Sequence, residues 1–251
     1  MTPAAETLLG PLPLMPVLIA WTGVMISVPL VARRGENGRR RAITIGVYAQ
    51  AILVIVYLTS LWPRAITLRA ILFVPLLGWF AEFLGSRTGI PFGRYHYTEA
   101  LQPQIFRVPL IIPLAWLMML PPAWAVADAI LPQGPAWITA IIAAAAFTAW
   151  DLFLDPHLVR WRFWQWEDRG RFYLEIPLTN FLGWFGWAWF ITILVEPLSL
   201  QGTPLLLVYV LTWLFQFGGH MVFWKMPVSG LVGFFAMGLP AVAALWSLLN
   251  H

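Results

Sequence analysis

Two acidic residues inside a very apolar stretch are the side chains of this sequence best suited to acid–base chemistry. Asp151 and Asp155 lie four residues apart, so a helix would project both carboxyl groups from one face. Two carboxyl groups that close, away from water, cannot both ionise easily, and one is expected to keep its proton as a general acid. The alternative is a boundary pair that the cytosol solvates or that Arg160 neutralises. Pro156 is expected to end the helix there.

Two further polar residues lie within apolar stretches. Glu82 is expected at a depth similar to that of the aspartate pair, where it could share a proton with them. A salt bridge from Glu82 to Arg87 or Arg94 is the alternative. Asn180 is expected one turn inside its own stretch, where its amide could hydrogen-bond a carboxylate or a water, or hold two helices together.

The segment 88–97 reads Thr-Gly-Ile-Pro-Phe-Gly-Arg-Tyr-His-Tyr and predicts a shaped turn, because it holds two glycines and a proline. It would project Arg94, Tyr95, His96 and Tyr97 at a membrane boundary. These side chains could contact a substrate, or they could form an aromatic belt with a snorkelling arginine. A metal site is not expected, because one histidine with scattered carboxylates lacks a metal-ligand spacing.

Tryptophans follow the aspartate pair in two groups. Trp161, Trp164 and Trp166 are expected to anchor the chain at the membrane interface. A second aromatic group lies further along, at Phe181, Trp184, Phe185, Trp187 and Trp189. Its rings could line a pocket for a long polyene and stabilise a carbocation, or they could face lipid.

Three remaining polar residues in apolar stretches have no predicted part in chemistry. Asp128 and Glu196 are expected near the outward ends of their stretches, where water solvates them. His220 is expected to be a packing histidine whose ring nitrogens are satisfied by neighbouring groups.

The composition identifies the elements that must hold these residues. The chain has 251 residues, of which 60% are hydrophobic and 10% charged, with a mean hydropathy of +0.76. Soluble domains are nearer ~45–50% apolar and ~25% charged, so an ordinary soluble domain is excluded. The sequence has no cysteine, which removes thiol catalysis, thiolate metal sites and iron–sulfur chemistry.

Apolar stretches of about 20 residues predict an all-α, polytopic integral membrane helix bundle in one domain over residues 1–251. We expect about eight transmembrane helices, with seven as the alternative count. Prolines at 11, 13, 16 and 29 in the first stretch should lie at helix ends or kinks. The predicted spans are 9–31, 42–62, 65–85, 108–131, 137–158, 177–198, 204–224 and 229–249.

The cations indicate the orientation. All of the 15 Lys and Arg residues except Arg64 and Arg69 fall in the alternate connections 32–41, 86–107 and 159–176 and at Lys225. By the positive-inside rule these connections face the cytoplasm of a cell membrane, and both termini face outward. The two longest of them are rich in aromatic and acidic residues, so the active site is expected near the cytoplasmic boundary.

Three segments together resemble one family. They are Glu82 through Tyr97, Asp151 through Pro156, and Trp164-x-Trp166 leading into the run 176–184. This pattern, over roughly 80–184, is similar to the CruF-type carotenoid 1,2-hydratases. The sequence departs from the family at Tyr173-Leu-Glu175, where a smaller, glycine-containing stretch is expected.

The resemblance implies a reaction without a cofactor. Water adds across the terminal C1–C2 double bond of an acyclic carotenoid end group, such as that of lycopene or γ-carotene, and leaves a tertiary alcohol. Asp151 would be the acid, with Asp155 or Glu82 as its partner, and Asn180 would orient the water. The substrate-binding residues would be Tyr95, Tyr97, Trp184, Phe181, Trp150 and Arg94. The partners would be the carotenoid, membrane lipid and other carotenoid-pathway enzymes, and not nucleic acid.

Two other classes of function stay open. An intramembrane UbiA-like prenyltransferase or lycopene elongase would use an Asp-x-x-x-Asp motif with a metal diphosphate, but that class needs two such motifs. A transporter or a pigment-binding scaffold would do no chemistry, although transporters usually show two similar halves with broken helices. The product formed from a carotenoid distinguishes the three classes.

Overall fold

The computed structural model describes residues 14–167, 172–200 and 204–250. Within these ranges eight helices are long and apolar enough to cross a membrane, which confirms the predicted all-α membrane bundle. The protein is therefore a multi-pass membrane protein. Its helices are α1 Met15–Ala32, α2 Gly35–Leu61, α3 Arg64–Thr88, α4 Ile111–Ile130, α5 Ala136–Arg160, α6 Leu178–Val195, α7 Pro204–Gly218 and α8 Pro227–Asn250. A π-helical turn, Gly219–Phe223, continues α7.

Helix α4 forms the centre of the bundle. It packs against α2, α3, α5, α7 and α8, and 78% of its most apolar window is buried. Helix α1 is peripheral, with 17% of its window buried, and it packs mainly against α2. Helices α5 and α6 pack closely together, and this pairing brings the segment after Pro177 against the aspartate-bearing turn of α5.

Two short antiparallel ribbons lie between the helices, and the sequence did not predict them. Strand β1 (Tyr95–Tyr97) pairs with β4 (Trp164–Trp166), and β2 (Gln104–Ile105) pairs with β3 (Val108–Pro109). The β1–β4 register places Tyr95 opposite Trp166 and Tyr97 opposite Trp164. The two long connections thereby form one structure at the same end of the bundle.

The predicted connection 32–41 is mostly helical, so that prediction was wrong. Helix α1 ends at Ala32 and α2 begins at Gly35, which leaves only two residues between them. Glu36 and Arg40 form an ion pair of 2.5 Å one turn apart, and such a pair supports the first turns of α2. The arginines at 39–41 therefore belong to a helix end.

The prediction that Pro156 ends the fifth span was also wrong, because α5 continues to Arg160. Proline has no N–H, so the carbonyl of Leu152 loses its partner within the helix. The hydroxyl of Tyr173 donates to that carbonyl at 3.1 Å and replaces the missing bond. Of the prolines in the first span, Pro16 lies in the first turn of α1 and Pro29 lies inside the helix. Residues 1–13, with the predicted start of that span, and the cations at 169 and 171 lie outside the described residues.

Candidate active site

Asn180 joins the two predicted aspartates. Its Nδ2 donates to Oδ2 of Asp151 at 2.8 Å and also donates to Oδ2 of Asp155. All three side chains are buried. The four-residue spacing thus places both carboxyl groups on one face of α5, and the amide makes a carboxylate contact of the kind predicted. Arg160 does not neutralise the pair, because its guanidinium donates to the backbone carbonyl of Lys225 at 3.2 Å.

Glu82 receives three hydrogen bonds from neutral donors. The Tyr97 hydroxyl donates to its Oε2 at 2.7 Å, the Tyr95 hydroxyl donates to the same oxygen, and Trp116 Nε1 donates to Oε1 at 3.3 Å. The carboxyl group is buried. The alternative of a salt bridge was wrong, because Arg87 lies over the Phe83 ring at 4.6 Å and the other candidate arginine is exposed.

The two tyrosine hydroxyls beside Glu82 remain protonated. Burial raises the pKa of Tyr95 and of Tyr97 well above its ordinary value, and the negative charge of Glu82 raises both further. Each hydroxyl therefore keeps its proton throughout the physiological pH range and acts as a donor to the carboxyl group.

The turn after α3 positions these tyrosines. Gly89 ends the helix with a φ of 75°, a left-handed conformation that favours glycine. Phe92 then inserts between two helices: a Cβ atom on Gly183 of α6 would lie 2.6 Å from its ring, and Gly85 of α3 is in contact with the other ring edge. After Phe92, the side chains of β1 alternate between the two faces of the strand. Tyr95 and Tyr97 therefore face inward, and His96 faces outward.

A group of stacked aromatic rings adjoins the carboxyl groups. Trp184 stacks on Trp116 with ring centroids 4.9 Å apart, and on Phe147 at 5.1 Å, and it meets Trp150 edge to face. Trp189, five residues further along α6, is 39% exposed on the outer surface of the bundle. Of the aromatic group predicted on this helix, Trp184 is therefore the tryptophan that faces the site.

A cavity of about 110 Å³ lies beside these residues. Seven of the predicted site residues line it: Glu82, Tyr95, Tyr97, Trp150, Asp155, Asn180 and Trp184. Asp151 does not line it and lies behind the Asn180 amide. The remaining two predicted residues are elsewhere: Phe181 is buried against Tyr173, and Arg94 is exposed.

Several cavity residues were missed by sequence reasoning. Trp161, Trp164 and Trp166 line the cavity, whereas we expected them to be interfacial anchors. Trp164 is buried and meets Tyr97 edge to face at 5.8 Å. The alternation Trp-x-Trp is compatible with one aromatic face of a strand, but three residues are too few to predict a strand from the sequence. Other lining residues carried no such signal: Gln50, His157, Gln216 and Trp224.

The other polar residues of the spans have structural partners. His220 contacts the backbone carbonyls of Gln216 at 2.8 Å and Phe153 at 3.1 Å, as expected of a packing histidine. Glu196 pairs with Arg69 at 3.0 Å on the exposed surface. Asp128 accepts a hydrogen bond from the backbone N–H of Leu200 at 2.9 Å and thus holds the connection after α6, rather than being only solvated as predicted.

A comparison of the chain with models of protein families identifies its family. The model of the carotenoid biosynthesis protein family matches residues 42–239, from within α2 to within α8. The chain belongs to the carotenoid biosynthesis protein family. The match includes every acidic residue that lines the cavity. A search of curated proteins found no match, and a search of solved structures found none.

Family membership gives the site its biological setting. The predicted resemblance to a carotenoid biosynthesis family is confirmed, and the protein has a role in carotenoid biosynthesis. For a carotenoid biosynthesis protein, an apolar cavity with carboxyl groups on one edge is suited to acid–base chemistry on a hydrocarbon. Among the described residues, no group of three or more His, Asp or Glu is placed to hold a metal ion.

Proposed function

We propose that the protein is a carotenoid 1,2-hydratase, which adds water to the C1–C2 double bond of an acyclic carotenoid end group. The observation that carries the proposal is the carboxyl pair Asp151–Asp155, bridged by Asn180 and buried beside an aromatic-lined cavity that Glu82 also lines. An isolated alkene is a weak base, so its protonation needs an acid removed from water. The apolar cavity supplies that environment.

The acid in this proposal is Asp155, with Asp151 as its proton partner. The pair has one amide donor for two carboxyl groups, and Oδ1 of Asp151 has no partner among the described residues. Two contacts of hydrogen-bond length share the Asn180 nitrogen, so the two oxygens lie within about 6 Å of each other. A pair that keeps one proton carries one negative charge instead of two, so its two carboxyl groups do not repel each other as two carboxylates would. Since Asp155 lines the cavity and Asp151 does not, the acid at C2 moves from the residue favoured by the sequence to its neighbour.

Glu82 is the base. Its three hydrogen-bond donors offset part of the cost of burying a carboxylate, and an ionised Glu82 can stabilise a positive charge at C1. The faces of Trp184 and Trp150 can add to that stabilisation. Asp155 gives its proton to C2, the oxygen of a water bonds to C1, and the water then gives a proton to Glu82. Transfer of that proton back to the aspartate pair restores the starting state, and no redox partner is needed.

Asn180 acts in this scheme through the aspartates. Both N–H groups of its amide are taken by the two carboxyl groups, so we assign it to positioning them rather than to orienting the water. Arg94 and Phe181 are left out of the substrate site because neither lines the cavity.

The proposed location is the cytoplasmic side of a cell membrane, with both termini outward. The cavity-lining parts of α2 and α5 lie next to the arginine-rich ends of these helices, and the positive-inside rule favours the cytoplasm for such ends. The carotenoid is then taken up from surrounding lipid, and other enzymes of the pathway act on the product.

Expression in a lycopene-producing host tests the proposal. We expect the wild type to convert lycopene into a more polar product heavier by one water, and Asp155→Asn to abolish this conversion. Glu99→Gln, which changes an exposed acid in the same connection as the tyrosines, serves as the matched control and should keep full activity. A product with a longer carbon chain would instead select the prenyltransferase, and unchanged lycopene would select the transporter or scaffold. Full hydration by Asp155→Asn would refute the assignment of the acid.

A further inference from the structure

The cavity has a second polar edge on the opposite side of α5 from the carboxyl groups. Successive residues of a helix are rotated by about 100°, so Asp155 and His157 point to nearly opposite sides of α5. Both line the cavity, and Leu154 and Leu158 line the wall between them. The second edge is completed by Gln216 of α7 and by Trp224 just after it.

Three polar atoms on this edge are buried and have no partner among the described residues. They are Nε2 of His157, Oε1 of Gln216 and Nε1 of Trp224. His157 is only 5% exposed, and its ring lies between those of Trp161 and Trp224, with centroids 3.8 Å from each. Buried polar atoms are nearly always hydrogen-bonded, so three unpaired atoms on one cavity wall indicate a bound polar group.

We propose that His157, Gln216 and Trp224 form a subsite for a hydroxyl group. The indole N–H is a donor, the amide oxygen is an acceptor, and a neutral imidazole nitrogen can be either. A hydroxyl donates one hydrogen bond and accepts up to two, so this set matches it. An anion would face the amide oxygen, and a cation would face the indole N–H, so a charged ligand fits less well.

A hydroxyl group can reach this subsite from two sources. One is a water molecule on its way to the carboxyl groups, and the other is the alcohol of a hydrated carotenoid; this choice rests on the proposed function. Trp161 lines both the main cavity and an outer pocket that contains Arg39, Arg160 and Gln165. The two pockets therefore adjoin at Trp161, whose ring also contacts His157, and this side of the subsite offers water a route from the exposed pocket.

The test uses purified protein in lipid nanodiscs and variants that replace one polar side chain of the subsite with an apolar one. These are His157→Phe, Gln216→Leu and Trp224→Phe, and Leu214→Ala on the exposed side of α7 is the matched control. Quenching of tryptophan fluorescence gives the dissociation constants for lycopene and for its 1-hydroxylated derivative, and chromatography gives the rate of hydration. If one variant fails to fold, the other two carry the same comparison.

If the alcohol occupies the subsite, the variants bind the hydroxylated carotenoid about tenfold more weakly and bind lycopene unchanged. If water occupies it, both dissociation constants are unchanged and the hydration rate falls about tenfold. Either result supports the subsite. Variants that match Leu214→Ala in both affinities and in rate would overturn it. A wild type that forms no hydrated product would refute the proposed function, while the ratio of the two affinities would still decide whether the subsite binds an alcohol.

Discussion

The hydroxyl of Tyr173 donates a hydrogen bond to the carbonyl oxygen of Leu152, 3.1 Å away, and so connects the loop before α6 to the turn that carries both aspartates. Burial, and then the charge of Asp151, raises the pKa of Tyr173, so the hydroxyl stays protonated and remains a donor. The carbonyl needs this donor because Pro156 has no N–H to offer it.

A double-mutant cycle tests this replacement. Tyr173→Phe leaves the Leu152 carbonyl unpaired and should lower the free energy of unfolding by about 1–2 kcal/mol. Pro156→Ala restores a backbone N–H four residues after that carbonyl, so Tyr173→Phe should cost much less in this background. Denaturant unfolding in detergent micelles measures both differences. If Tyr173→Phe lowers the free energy of unfolding equally in the wild type and in Pro156→Ala, the tyrosine hydrogen bond does not compensate for the proline.

The insertion of Phe92 between α3 and α6 predicts a large difference between two glycines of the same helix. Gly183→Ala would place a methyl group 2.6 Å from the Phe92 ring, whereas nothing lies within 4 Å of a Cβ atom on Gly186. We expect Gly183→Ala to destabilise the fold by about 1–3 kcal/mol. We also expect it to reduce hydration, because the Phe92 ring must move away from the methyl group and would displace the strand that follows it. Gly186→Ala should behave like the wild type in both assays. Similar melting temperatures for the two variants would contradict the insertion of Phe92.

Removing the amide bridge should impair the acid more than it impairs the fold. Asn180→Leu removes both N–H donors from the aspartate pair. Leaving a buried acceptor without its donor costs about 1–3 kcal/mol, so we expect the rate of hydration to fall at least about tenfold. Leu182→Ala, at a 60% exposed position of the same helix, should keep the wild-type rate. Product chromatography at equal amounts of folded protein checks the expectation. Wild-type turnover by Asn180→Leu would remove Asn180 from the site.

The raised pKa of Tyr97 predicts how stability changes at alkaline pH. The folded protein holds this proton more tightly than the unfolded chain, where a tyrosine titrates near pH ~10. The contribution of Tyr97 to folding stability is therefore complete below pH ~10, and it is lost as the pH rises from there through the pKa of Tyr97 in the folded protein. Melting temperatures measured between about pH 8 and about pH 11 should fall more steeply for the wild type than for Tyr97→Phe. Tyr48→Phe, at an exposed tyrosine, should keep the wild-type slope, and equal slopes for all three proteins would contradict the burial of Tyr97.

The helices could be predicted from the sequence because bilayer thickness dictates their length. An apolar run of about 20 residues is a local property, and the observed spans differ from the predicted ones mainly at their ends. The end of α5 shows where local rules fail. Pro156 is a helix-ending signal by itself, but a tyrosine 17 positions later in the chain supplies the missing hydrogen bond.

The candidate site could be predicted in part. The spacing of Asp151 and Asp155 gives a shared helix face, but only the position of α6 decides which of the two carboxyl groups meets the cavity. The inward direction of Trp164 could not be predicted either, because it depends on pairing with a strand about 70 positions earlier. Three-residue strands are too short for periodicity to be recognised in a single sequence.

The pairing of β1 with β4 also imposes a requirement on chain length. Side chains alternate between the two faces of a strand, so one added or deleted residue inside β1 would exchange inward and outward positions. Both tyrosine hydroxyls would leave Glu82 together, and His96 would turn toward it. This part of the protein can thus vary in residue type on its outer face, whereas its residue count is constrained by the carboxyl group beneath it.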